Sequence, residues 1–244
     1  TALRMAEVAD DSVNLVLTSP PFFSHEIENE LKRPKDRQSN FEEVSEAVSK
    51  FAFQLRPAFT EVFRTLCKGG HLVLETKDLS YGDMLISLSS IHRSLAEASG
   101  LRLVARILWE NSSEAPRHGT STRQLTRIRR YQGFRTVDSE EFLVFILPGA
   151  PEHVGNLDTI EYTKSSELVS PLWRTPPTRS WHPHPSPRTV VERFVGLLTR
   201  PGDLVLDPFA GSGLVLRVAQ ESGRDAIGYE IDRSYWERAV GAGR

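Results

Sequence analysis

Asp203-Leu-Val-Leu-Asp-Pro-Phe-Ala-Gly-Ser-Gly213 decides the fold. Its first four residues read as a buried strand, and Leu214 to Ser222 reads as a helix. The turn between them holds Gly211 and Gly213, which permit a tight bend and close approach of a ligand to the backbone. The helix that follows begins with unpaired N–H groups. Asp225 to Tyr229 reads as the next strand, with Glu230 at its end. A carboxylate there can accept both hydroxyls of a ribose. The turn lacks the Gly-x-Gly-x-x-Gly spacing and the lysine of phosphate-binding loops. It therefore points to a nucleoside without a phosphate chain.

The rest of the chain repeats this alternation. Val13 to Leu17 is an apolar run that stops at Ser19-Pro20-Pro21. Apolar residues from Phe41 to Leu66 recur at steps of three and four and predict a helix. Pro57 is expected to kink or divide it, and Gly69-Gly70 to end it. Strands are expected at 71–75, 101–109 and 141–147, and a helix at 84–98. The stretch 148–184 is irregular and proline-rich, 188–199 reads as a helix, and 234–240 as a closing helix. Strands alternating with helices predict an α/β fold: a mostly parallel sheet with helices on both faces. In such sheets ligands bind beyond the carboxyl ends of the strands.

Thr18-Ser19-Pro20-Pro21-Phe22 lies at one of those ends. The prolines hold Ser19 extended and present its hydroxyl and the Pro20 carbonyl as fixed acceptors. Phe22 offers a flat face for stacking a planar group. An exocyclic amino group on a base is a poor nucleophile, because its lone pair is delocalised into the ring. Two acceptors on its hydrogens favour the pyramidal nitrogen of the transition state.

The 244 residues suffice for one large domain. No apolar run reaches the roughly 18 residues of a membrane span. No basic-then-apolar leader opens the chain, so the expected location is the cytoplasm or nucleoid. Cys67 is the single cysteine, which excludes an internal disulfide and a cysteine zinc site. His182 and His184 are spaced for a metal, but they lie among prolines with no acidic or cysteine partner, and no metal is expected. The net charge of −2 hides a local bias. Arg117, Arg123, Arg127, Arg129, Arg130 and Arg135 occur with no acidic residue from 117 to 137. They are the candidate phosphate contacts.

Taken together, these motifs resemble the β-class amino-methyltransferases of DNA, in which the catalytic turn precedes the cofactor loop. The likeness runs nearly end to end, through DDSVNLVLTSPPF, FRTLCKGGHLVLE, LWRTPPTRSWHPHPSP and RPGDLVLDPFAGSG with GRDAIGYEID. It implies a Rossmann-like methyltransferase fold with permuted motif order, bound S-adenosylmethionine, and methyl transfer to an amino group of a flipped base in double-stranded DNA. Ser19, Pro20, Pro21 and Phe22 would hold and activate the base. Thr18, His182, Pro183, Asp207, Pro208, Phe209, Ala210, Gly211, Ser212, Gly213 and Glu230 would form the cofactor site. A Ser-Pro-Pro turn in this family favours N4 of cytosine over N6 of adenine. An RNA or protein-amide substrate, and an idle binding homologue, are the further alternatives.

The resemblance also has departures. Leu214 and Val215 stand where threonines are usual. A strand bordering the adenine pocket is expected before Thr1. The whole chain, 1–244, reads as one catalytic domain, with 111–137 and 148–180 as candidate DNA-contacting loops or a small recognition lobe. Recognition site, partner nuclease of a restriction-modification pair, and assembly as monomer or homodimer stay open. Neutralising Arg127, Arg129 and Arg130 together should weaken DNA binding and flatten its salt dependence. Binding unchanged across a salt series overturns that assignment.

Overall fold

The computed structural model describes residues 1–21, 40–81, 84–111, 140–149, 170–176 and 186–241. Strand β1 (Val13–Thr18) lies inside a seven-stranded sheet. Its parallel neighbours are β2 (Leu66–Thr76) and β8 (Leu204–Asp207). Beyond β8 runs β9 (Asp225–Gly228), also parallel. Beyond β2 come β6 (Glu140–Ile146), β5 (Arg102–Asn111) and the edge strand β7 (Leu172–Thr175). β6 is antiparallel to both its neighbours, whereas β5 and β7 pair in parallel. The sheet is mostly parallel, as the alternation predicts.

Successive residues of each central strand enter opposite apolar layers. Val13, Val16, Leu72, Leu74, Leu143, Phe145 and Leu206 pack with helix α1 (Phe41–Thr65) and helix α2 (Leu88–Ala98). Leu15, Leu17, Val73, Phe142, Val144 and Val205 pack with helix α3 (Arg188–Leu198) and helix α4 (Leu214–Glu221). This two-sided burial explains why the strands read as continuous apolar runs. The last helix, α5 (Arg233–Gly241), buries none of its residues.

Helix α1 begins where the Asn40 side chain accepts the Glu42 N–H at 3.0 Å, with Glu42 and Glu43 suited to the positive helix end. Pro57 does not divide it. Proline supplies no N–H to the carbonyl one turn back, that of Phe53, but both residues are exposed and water can replace the lost donor.

Nor does Gly69-Gly70 end the helix. The Asp11 and Ser12 N–H groups take the carbonyls of Arg64 and Thr65, and Leu66 is already in β2. Both glycines lie in a bulge of that strand: Val13 pairs with Leu66, but Leu15 pairs with His71. Gly69 has φ of 79°, and the Gly69 N–H and Gly70 carbonyl bond Leu147.

Two short elements escaped the apolar pattern. Strand β3 (Leu79–Tyr81) and strand β4 (Met84–Ile86) form a small hairpin, so α2 starts at Leu88, not at Met84. Asp78 caps it from outside the helix, accepting the Ser89 N–H at 3.2 Å and the Ser89 hydroxyl at 3.0 Å. Strand β7 lies in the stretch expected to be irregular. Its Trp173 is buried against Phe194, and its Thr175 hydroxyl accepts the Trp109 indole N–H at 2.7 Å.

A Cβ at Gly70 would meet the Cys67 carbonyl oxygen at 2.8 Å and the Val13 carbonyl oxygen at 3.1 Å. Both are backbone atoms of the bulge. Gly70→Ala should therefore destabilise the fold by about 1–3 kcal/mol in urea unfolding. An unchanged midpoint would show that the bulge can relax.

Candidate functional site

A cavity of about 750 Å³ opens at the carboxyl ends of β1, β2, β8 and β9. The chain leaves β1 toward β2 on one side, and β8 lies on the other. That reversal makes the crevice in which open α/β sheets bind ligands.

Two motifs distant in sequence meet there through one buried hydrogen bond. The Thr18 hydroxyl donates to Asp207 Oδ1 at 2.6 Å. The same oxygen accepts the Phe209 N–H at 3.1 Å, which folds the loop back over the strand end. Pro20, Pro208 and Phe209 pack toward Ala58, Phe59 and Val62 of α1. Ser19, Pro20 and Pro21 line one wall of the cavity, and residues 207–212 line another.

The loop turns on its glycines. Gly211 and Gly213 have φ of 47° and 69°, the left-handed region where a side chain is strained. Glu230 Oε2 accepts the Gly211 N–H at 2.7 Å, and its Oε1 accepts the Asp232 N–H at 2.7 Å. The carboxylate is thus fixed in orientation at the cavity edge. Gly228 lets β9 approach α4, since a Cβ there would stand 2.5 Å from a methyl of Leu216. Leu214 and Val215 are buried in the α3–α4 layer and also line the cavity. The first turn of α4 is therefore an apolar wall.

Among the described residues, the ionisable acid and base side chains that line the cavity are all acidic. Glu75, Asp207 and Glu230 line it, and among the described residues no lysine, arginine or histidine does. Burial pushes the Asp207 carboxyl up to about 7, against the hydrogen bonds from Thr18 and Phe209. Burial also pushes Glu75 up to about 8, with the Glu140 charge adding to it and a hydrogen bond from the Ser186 hydroxyl opposing it.

The expected residues Thr18, Ser19, Pro20, Pro21, Asp207, Pro208, Phe209, Ala210, Gly211, Ser212 and Glu230 border this one cavity, and Gly213 opens α4 beside it. Phe22, His182, Pro183 and the arginines from Arg117 to Arg135 lie outside the described residues. Sequence reasoning missed Glu75 and Ser186. An acidic residue closing the apolar run His71–Glu75 was the available signal. It also missed Ile231, 92% exposed at the cavity wall beside Tyr229, where a flat ring could cover it. Among the described residues no cluster of three or more metal-ligating side chains occurs, and no helix is long and apolar enough to cross a membrane.

Residues 13–241 match the model of the N6/N4 methyltransferase family, described as DNA methylase. The type II methyltransferase M.MjaI of Methanocaldococcus jannaschii is 28% identical, with 96% of this chain and 86% of that protein aligned. A provisionally described DNA modification methylase of Thermus thermophilus, solved with S-adenosyl-L-methionine, superposes with a TM-score of 0.73 at 23% identity. The superposition covers 97% of this chain and 87% of that one. The PvuII DNA methyltransferase, described as cytosine-N4-specific, superposes with a TM-score of 0.68 at 21% identity, covering 98% and 82%.

The raised Asp207 carboxyl links stability to pH. The folded chain holds this proton more tightly than the unfolded chain, where aspartate titrates near 3.8. The resulting stability is present below about pH 4 and is lost as pH rises through about 7. Asp207→Asn keeps an acceptor for Thr18 and Phe209 but cannot titrate. Relative to it, the wild type should lose roughly 2–4 kcal/mol between pH 4 and 8.5 in urea unfolding. A difference that does not change with pH refutes the raised value.

Proposed function

The chain belongs to the N6/N4 family of DNA methylases, and from that premise we propose that it transfers a methyl group from S-adenosylmethionine to N4 of a cytosine flipped out of double-stranded DNA. The observation that carries this reading is the shared cavity, in which the Thr18–Asp207 hydrogen bond sets the Ser19 turn beside the glycine loop.

The residues present suit this cofactor. The volume of about 750 Å³ is in the range of small-molecule sites. Glu230 stands ready for ribose hydroxyls, Ile231 and Tyr229 offer faces to a ring, and the carboxylates suit a ligand of positive charge. When bound, S-adenosylmethionine supplies an electrophilic methyl group on a sulfonium sulfur.

The chain's own contribution is placement and electrostatics. The Ser19 hydroxyl and the Pro20 carbonyl accept the amino hydrogens, and the two prolines keep these acceptors from turning away. The amino nitrogen forms its bond to carbon as the carbon–sulfur bond breaks, and sulfur keeps that electron pair. One proton leaves the nitrogen for water. Ser19, a neutral hydroxyl, positions the nitrogen and does not need to take the proton. Serine at this position favours cytosine N4, the specificity described for the PvuII enzyme of similar fold. The family supports DNA as the substrate, and the serine of the turn is the ground for proposing cytosine. The arginines from Arg117 to Arg135 add the phosphate contacts.

Incubation with labelled S-adenosylmethionine and mixed-sequence duplex DNA should yield N4-methylcytosine on nucleoside analysis. N6-methyladenine would move the target to adenine, and labelling of RNA alone would move the substrate. Tight cofactor binding without transfer to any nucleic acid would make the chain a binding protein. Ser19→Ala should lower transfer on the order of a hundredfold with cofactor affinity within about threefold. Equal loss of both would reduce Ser19 to a structural role.

A further inference from the structure

Glu75 ends β2 beside the turn that carries Ser19. In the β1–β2 ladder Thr18 stands opposite Leu74, so Glu75 comes level with Ser19 at the strand ends. On the other flank of β1, Val16 pairs with Leu206, which brings Asp207 level with the end of β1. Both carboxylates line the cavity, and both are buried, at 6% and 4% exposure. Glu140 faces Glu75 from β6 and Asp207 faces it from β8, each with like charge. From the segment before α3, the Ser186 hydroxyl donates a hydrogen bond to Glu75 Oε2 and holds that carboxyl in place. Buried acids gathered around one wall, with no lysine, arginine or histidine among the described lining residues, are an unfavourable arrangement that a positively charged ligand relieves.

Methyl transfer changes the charge of the cofactor far more than its shape. The donor carries a sulfonium, whereas the product is a neutral thioether. Adenine, ribose and the amino-acid end are common to both. Contacts with those parts bind donor and product alike and cannot separate them. A negative charge near the sulfur does separate them. The reacting methyl must sit between the glycine loop and the Ser19 turn, and Glu75 flanks that point from β2. We propose that Glu75 is the residue by which the cavity distinguishes the charged methyl donor from its thioether product, holding the first and releasing the second. The inference rests on the reading of the cavity as an S-adenosylmethionine site.

Calorimetric titration at pH 8.5 with three probes tests it. These are S-adenosylmethionine, S-adenosylhomocysteine, and sinefungin, in which an ammonium-bearing carbon replaces the methylated sulfur. The wild type should prefer both charged probes over the thioether. Glu75→Gln should narrow that preference by about tenfold while thioether affinity stays within about threefold. Equal weakening of all three probes, or an unchanged preference, overturns the proposal. Should Glu75→Gln not fold, Asp207→Asn, which removes the other cavity carboxyl that titrates in this range, carries the test alone. Its preference for S-adenosylmethionine should rise between pH 6 and 9 as Glu75 ionises, and a preference independent of pH overturns the proposal equally. A wild type that binds none of the three probes refutes the cofactor reading itself, a failure distinct from binding without discrimination.

Discussion

The hydrogen bond from Thr18 to Asp207 joins two parts of the chain that share no local sequence signal. It crosses between the ends of adjacent parallel strands and lies in the core of the site, where both residues are buried. Around it the geometry follows. Asp207 also takes the Phe209 N–H, so the loop bends toward Pro20, and Gly211 then reaches the Glu230 carboxylate. A shift in the register of β1 against β8 would part the Ser19 turn from the glycine loop. Their separation is thus set by a sheet ladder with apolar layers on both faces, a support far stiffer than either loop alone.

The same bond stands in an unfavourable field. Asp207 lies in a cavity whose charged lining side chains are all acidic among those described, and burial raises its carboxyl toward neutrality. A protein selected for stability alone would place a cation or an apolar side chain there. Retaining the acids makes sense when the missing charge arrives with the ligand. The cavity then has its electrostatic optimum in the bound state, and ligand binding and stability are coupled. Glu75 belongs to this logic although the cofactor loop does not contain it. It approaches from the opposite flank of β1, so the sheet order places it where sequence distance does not.

The fold was legible wherever a side-chain period met an unambiguous terminator. Val13–Thr18 before two prolines, and Leu204–Asp207 before the glycine turn, were both readable, and so was the start of α1 at Phe41. The misreadings share one cause. Gly69-Gly70 carries a strong local signal for a helix end. Yet the backbone N–H groups of Asp11 and Ser12, far off in sequence, satisfy the Arg64 and Thr65 carbonyls first. The glycines are used instead in a bulge, where Gly70 has no room for a Cβ and Gly69 takes a positive φ. Met84–Ile86 is too short to show a period of two, and β7 takes its identity from the Trp109–Thr175 contact and pairing with β5. In the site, a motif reading found residues adjacent in sequence and passed over Glu75 and Ile231, whose meaning depends on what the strand order sets beside them.

Rigidity at the Ser19 turn has a specific source. A hydroxyl alone is a weak and mobile acceptor, and an amino group gains little from one that must be ordered at each turnover. Here Ser19 precedes Pro20, which holds it extended. Pro20 is buried against α1, and Thr18 is tied to Asp207 on the adjacent strand. The turn is therefore held from both sides before any ligand enters. The elements that hold it, β1, β8 and α1, also build the wall that carries Phe209. Tightening the cofactor loop and orienting the Ser19 hydroxyl are consequently one structural event, and a substitution that loosens Asp207 would be felt at the amino group although no atom of Asp207 needs to touch it.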